Sequence, residues 1–263
     1  MIQRLCSTLF LTLTLLATSS VAAGAAGTEA STDYVALGDS YSSGTGAGSY
    51  DLSSSCQRSS RAYPALFAAQ NAVQSFSFQA CGGATSADVR GGQLGSLSSE
   101  TDLVSVTSGG NDAGFVDVVV ACRTGSDQDC FSALDRSEQY IAEALPGELD
   151  LLYGDIRAGA PGAHVVVLGY PRLYETTDCF GAIPVARRER INATADTLNA
   201  ALRGTAQAHG FAFADVSPAF EGRRICASSP WIHGPTWPVS SSYHPNRSGH
   251  DSGYLPVLSG SVA

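Results

Sequence analysis

Four short apolar runs limit what this chain can fold into more than any other feature of its sequence. Residues 34–37 (Tyr-Val-Ala-Leu), 103–106 (Leu-Val-Ser-Val), 164–168 (His-Val-Val-Val-Leu) and 211–214 (Phe-Ala-Phe-Ala) are apolar almost without alternation. A strand with one wet face alternates polar and apolar residues. A run that is apolar on both sides of the pleat must be covered on both faces, as in a parallel sheet between helical layers. A weaker, alternating run at 73–80 is read as a fifth strand. Helical stretches lie between: 62–72, Ala-rich with Pro64 near its start; 134–158, interrupted by Pro146-Gly147; and 184–208. In the last, Ile191, Ala195, Leu198 and Leu202 recur on one face and Gly210 follows the end. Arg187, Arg188 and Arg190 on that stretch are read as a solvated helix face. Strands alternating with helices predict βαβ units. There is no internal repeat, linker or shift of composition, so residues 26–263 are expected to form a single α/β domain.

The first 25 residues are expected to be a signal peptide. Arg4 is followed by an apolar Leu/Thr/Phe run at 9–16 and by small residues offering cleavage after Ala23 or Ala25. A membrane anchor would need about 20 apolar residues, and this stretch is interrupted by Ser and Thr; no other segment is long and apolar enough to span a bilayer. Cleavage would remove Cys6 and leave six of the seven cysteines, an even set in an oxidising compartment. Cys56, Cys81, Cys122, Cys130, Cys179 and Cys226 allow 15 pairings. Pairing in sequence order is the simplest. A zinc site is disfavoured because no Cys-x-x-Cys pair or Cys/His cluster is present.

All fifteen basic residues are Arg, against 24 acidic ones. A chain this acidic lacks the basic stripe that nucleic-acid binding needs. The first apolar run ends in Gly38-Asp39-Ser40, which puts Ser40 at the carboxyl end of a strand, where ligands bind in open parallel sheets. Two further strand ends are Gly-rich: Cys81-Gly82-Gly83-Ala84-Thr85 and Ser108-Gly109-Gly110-Asn111-Asp112. Backbone N–H groups at glycines and an Asn amide are donors suited to a developing oxyanion. Near the C-terminus, Pro245 is suited to the first position of a final helix, leaving His244 outside it as a candidate general base. With no lysine in the chain a Ser–Lys arrangement is impossible, so the base must be a histidine. Of the other histidines, His164, His209 and His250 are read as structural or surface groups, and His233 as a possible pocket residue.

Gly38-Asp39-Ser40, a glycine after the second strand, Gly109-x-Asn111-Asp112 and a C-terminal His244-Pro245-Asn246, in that order, resemble the blocks of the GDSL/SGNH hydrolase family. The longer stretches at 38–44 and 108–115 are similar to its secreted actinobacterial lipases, esterases and phospholipases. The resemblance runs from residue 33 to about 255. It implies a three-layer α/β/α sandwich with a five-stranded parallel sheet of flavodoxin-like order. It also implies Ser40 as nucleophile, His244 as base, and an oxyanion hole from the N–H groups of Ser40 and Gly83 with the Asn111 side chain. Gly83 rather than Gly82 matches because it directly precedes Ala84-Thr85. The three disulfides of secreted members agree with sequential pairing. One position departs: where the family usually has Asp three residues before the His, this chain has Ser241. A neutral imidazole still needs an acceptor on Nδ1–H. Similar secreted members use a backbone carbonyl, here from Ser242 or Ser241, giving a Ser40–His244 dyad; the rival acceptor is Asp215.

The expected activity is hydrolysis of carboxylic esters, of lipids or small esters, by an exported monomer. Residues 115–120, apolar except for Asp117, are suited to an acyl pocket. The alternatives are a polysaccharide acetylesterase on the same scaffold and a non-catalytic secreted binding module. No His-Glu-x-x-His motif or phosphate-binding loop is present, so no metal or other cofactor is indicated.

Overall fold

The structure, a computed structural model, describes residue 2 and residues 32–177, 179 and 181–262. Apart from that one N-terminal position, the expected signal peptide lies outside the described residues. Five strands form one parallel sheet: β1 (Thr32–Gly38), β2 (Val73–Phe78), β3 (Leu103–Thr107), β4 (His164–Leu168) and β5 (Ala212–Ala214). Their spatial order is β2-β1-β3-β4-β5, the flavodoxin-like order. All of β3, and β4 from Val165 to Leu168, is buried. The edge strand β2 is largely half-buried or exposed, which is why its run alternates. The last strand is shorter than its apolar run, because the Phe211 N–H closes the preceding helix on the Ala206 carbonyl (2.8 Å).

The helices are α1 (Ser40–Ser43), α2 (Tyr63–Gln70), α3 (Ser86–Gly92), α4 (Phe115–Thr124), α5 (Asp127–Glu143), α6 (Leu145–Gly159), α7 (Val185–Ala208) and α8 (Leu255–Val262). α2 and α8 pack together in one layer, while α3, α6, α7, α5 and α4 pack in succession in the other. The break between α5 and α6 falls at Ala144, two residues before Pro146, as the missing N–H of proline requires. The final helical segment begins at residue 247 instead of Pro245. Asn246 caps it by accepting the Gly249 N–H at 3.1 Å, the usual task of Asn at a helix start. A π-helical turn, Gly249–Tyr254, then leads into α8.

The three disulfides are Cys56–Cys81, Cys122–Cys130 and Cys179–Cys226. They tie the loop before α2 to the end of β2, α4 to α5, and the loop after β4 to the segment after β5.

The arginines of α7 depart from expectation. Arg188 is only 3% exposed and donates to the carbonyls of Glu175 (2.7 Å) and Thr177 (2.8 Å). Arg187 reaches the carbonyls of Cys122 and Gly125 and pairs with Asp127 at 2.6 Å. Only Arg190 lies on the surface, beside Asp135 and Glu138. α7 is wedged between two loops whose carbonyls face it, and a guanidinium has enough donors to satisfy several at once.

In this order the connections lead to opposite sides of β1, to β2 on one and to β3 on the other, which opens a crevice at the carboxyl ends of β1 and β3. Ser40 follows β1 and Asn111 follows β3, so both stand at that crevice.

Candidate active site

The turn after β1 requires a glycine. Gly38 has φ +122°, and a Cβ there would fall onto the Thr107 carbonyl oxygen of β3. Asp39 then caps α1, its carboxylate accepting the Tyr41 N–H at 2.9 Å. Ser40 is the first residue of that helix, a position whose N–H has no partner within the helix. Its hydroxyl lies 2.8 Å from His244 Nε2.

On the other side of the imidazole, Nδ1 is 2.9 Å from the Ser242 carbonyl oxygen. A carbonyl only accepts, so Nδ1 carries the proton and Nε2 presents a lone pair to the Ser40 hydroxyl. Ser242 is itself held through its hydroxyl, which bonds to the N–H and carbonyl of Thr236. Ser241 contributes differently: its carbonyl accepts the His244 backbone N–H, at 3.4 Å. Asp215 stays away from the imidazole. One oxygen pairs with Arg203 at 2.9 Å and the other accepts the Ser217 N–H. Burial pushes the His244 pKa down to about 4, against the opposing effect of the Ser242 carbonyl.

Two candidate oxyanion donors follow β2 and β3. Gly83 has φ +83° and open space around it, and among the described residues its N–H has no acceptor. The Gly82 N–H is engaged by the Cys56 carbonyl at 2.9 Å. Asn111 donates one amide hydrogen to the Ala84 carbonyl at 2.9 Å, which leaves the other free and ties Asn111 to the Gly83 turn.

Two tyrosines to which the sequence assigned no role complete the site. The Tyr170 hydroxyl, just beyond β4, donates to Asp39 at 2.5 Å and accepts the Gly110 N–H at 3.0 Å, joining the turns after β1 and β3. Burial lifts the Asp39 pKa to about 7 despite the bonds it receives from Tyr170 and Tyr41. Tyr41 donates its hydroxyl to the Tyr243 carbonyl at 2.7 Å, and its ring centre is 5.2 Å from that of His244. Tyr41 lies within the 38–44 stretch beside Ser40, whereas the only sequence signal for Tyr170 was its place just after the carboxyl end of a strand.

An apolar cavity opens beside Ser40 and Asn111 between α4, α5 and α7, lined by Phe115, Val118, Val119, Leu134, Ile141 and Leu198 among others. Within 115–120 the helix splits the apolar residues: Phe115, Val118 and Val119 face the cavity, while Val116 and Val120 are exposed. His233 does not line it; its Nε2 meets the Gly46 carbonyl and its backbone pairs with that of His244. His250 is fully buried, stacked on Tyr63, and burial pushes its pKa down to about 3. His164 and His209 bond to Ser261 and Asp150. Among the described residues no three His, Cys, Asp or Glu side chains are grouped so as to hold a metal, and no helix is long and apolar enough to cross a membrane.

This geometry has close counterparts. Residues 36–251 match the GDSL-like Lipase/Acylhydrolase family. The chain is 50% identical over 229 residues to a lipase of Streptomyces rimosus, covering 86% of this chain and 85% of that one. It is 49% identical over 248 residues to Lipase 1 of Streptomyces coelicolor, covering 93% and 92%. Two solved structures, the extracellular lipase of Streptomyces rimosus and phospholipase A1 of Streptomyces albidoflavus, each match with a TM-score of 0.86. Their identities are 48% and 47%, over 88% of this chain and 100% of theirs.

Proposed function

Because the chain belongs to the GDSL-like lipase/acylhydrolase family, we propose that it is a lipase-type carboxylic ester hydrolase that works through an acyl-enzyme on Ser40. One observation carries the reading. A serine hydroxyl lies 2.8 Å from an imidazole whose tautomer a carbonyl fixes, at the mouth of an apolar cavity. Ser40 Oγ attacks the ester carbonyl as its proton passes to His244 Nε2. The oxyanion is met by the N–H groups of Ser40 and Gly83 and by the free amide hydrogen of Asn111. As the tetrahedral species collapses, Nε2 returns the proton to the leaving alkoxide; water then repeats the sequence on the acyl-enzyme. The Ser242 carbonyl serves where a carboxylate commonly stands: it sets the tautomer and its dipole stabilises the imidazolium.

The lipases and the phospholipase A1 among its relatives, with the apolar cavity as acyl site, support a lipid ester over a polysaccharide acetate. We read residues 1–25 as an export signal and 26–263 as one domain that is secreted and acts as a monomer. Three disulfides and an extracellular relative support export.

The test is covalent labelling. A fluorophosphonate should modify Ser40 in the folded protein, located by peptide mass spectrometry, while Ser40→Ala and His244→Ala stay unlabelled. A folded wild type that resists the probe would reject the acyl-enzyme and leave a binding module. Rates on p-nitrophenyl esters should rise from acetyl to octanoyl; a fall along that series would favour the acetylesterase. Triacylglycerol against phospholipid then defines the head group.

A further inference from the structure

The loop that delivers His244 also carries an apolar surface that none of the described residues covers. Trp237 is 86% exposed and Val239 is 68% exposed, with Pro238 between them. Trp237 makes no ring contact among the described residues. The segment is nevertheless anchored. Thr236, next to Trp237, is bonded to the Ser242 hydroxyl, and Ser240, next to Val239, accepts from Gln57 Nε2 at 3.1 Å. The two apolar side chains are therefore held out from the turn whose Ser242 carbonyl orients the imidazole. α4, whose other face lines the cavity, exposes Val116 and Val120, and its first residue, Phe115, lies 6.3 Å from the His244 ring.

Charge points to the occupant. In a chain of net charge −9, residues 225–246 contain no Asp, Glu, Lys or Arg. An anionic surface would be repelled by the chain as a whole and would find no cation in this segment to hold it. A single Trp covers about 150–250 Å², far below the roughly 800 Å² per partner of a stable protein interface. An exposed indole on a neutral turn suits the head-group level of a lipid layer, where tryptophan concentrates.

We propose that Trp237, Pro238 and Val239 form a lip that docks the protein on an uncharged or zwitterionic lipid surface, with the mouth at Ser40 turned toward it. The inference rests on the lipid-ester reading but concerns a different act, adhesion instead of bond cleavage. Docked this way, an acyl chain leaving the lipid layer enters the cavity without crossing bulk water.

Binding can be read without turnover. Ser40→Ala protein should co-sediment with phosphatidylcholine vesicles and show a blue-shifted tryptophan emission. Adding Trp237→Ala should weaken partitioning at least ten-fold, and Val239→Ser should weaken it several-fold. In the active protein, Trp237→Ala should lower the rate on phosphatidylcholine or triacylglycerol dispersions about ten-fold and leave the rate on a dissolved short-chain ester within two-fold. Unchanged partitioning of the Trp237→Ala protein would overturn the proposal. So would an equal fall on dissolved and dispersed esters, or a dimer in sedimentation velocity that Trp237→Ala dissociates. If dissolved esters are not cleaved at all, the hydrolase reading fails, whereas the vesicle result still decides the docking surface.

Discussion

Removing one oxygen atom from Tyr41 tests how the imidazole is aimed. Tyr243, immediately before His244, has φ +64°, a left-handed conformation that costs an L residue roughly 1–2 kcal/mol. Its carbonyl is held by the Tyr41 hydroxyl at 2.7 Å, and Tyr41 directly follows Ser40. One side chain thus joins the nucleophile's turn to the turn that carries the base. Tyr41→Phe keeps the ring and its packing but leaves a buried carbonyl without a donor, which costs about 1–3 kcal/mol. In a domain of this size the melting temperature should fall by on the order of 2–10 °C. Without the bond, Tyr243 is free to relax toward extended backbone, with roughly 1–2 kcal/mol favouring the move. The aligned fraction, and with it kcat, should then drop about 5- to 30-fold. KM should change less than about two-fold, because the apolar cavity wall is intact. The measurements are kcat and KM on p-nitrophenyl octanoate, calorimetry, and the rate at which a fluorophosphonate labels Ser40. A lowered melting temperature with kcat and labelling rate unchanged would show that the bond supports the fold and does not aim His244.

Four further outcomes follow from the same geometry. Burial holds His244 near a pKa of about 4, so the acid limb of kcat/KM should fall near pH 4; a limb near the ordinary imidazole value of about 6.5 would contradict the burial argument. The folded pKa values of His244 and His250 both lie below the unfolded value. The stability they contribute is therefore complete above about pH 6.5 and is lost as pH falls toward 4 and 3. Asp39, raised to about 7, acts with the opposite sign and withdraws stability as pH rises from about 4 towards 7. Asp215→Asn should leave kcat within about two-fold and cost no more than about 1 kcal/mol, the scale of an exposed ion pair; a loss of several orders of magnitude in kcat would restore a remote acid. Arg188→Met should strip donors from the Glu175 and Thr177 carbonyls and cost about 2–4 kcal/mol in denaturant unfolding. No change would mean that water replaces the guanidinium.

What could be read from the chain alone was whatever local chemistry dictates. Apolar runs without alternation specify strands buried on both faces, and β3 and β4 are such strands. Pro146 and Gly210 mark helix boundaries because one lacks an N–H and the other tolerates positive φ. An even set of cysteines with no metal-ligand spacing implies disulfides, and the sequential pairing is the one present. Ser40, Asn111 and His244 stood out because each follows a strand or precedes a helix, and Gly83 was set apart from Gly82 only by the resemblance to a known family. The rest depended on distances between residues far apart in sequence. Whether His244 Nδ1 meets Asp215 or the Ser242 carbonyl is a question of which acceptor the closing turn brings within 3 Å, and both are compatible with the residue order. The three arginines of α7 look alike in sequence, yet two become carbonyl clamps because of the loops that pack against them. The bond from Tyr41 to Tyr243 spans 202 residues. Such contacts exist only once the sheet has closed, since no propensity or spacing encodes which phenol will meet which carbonyl.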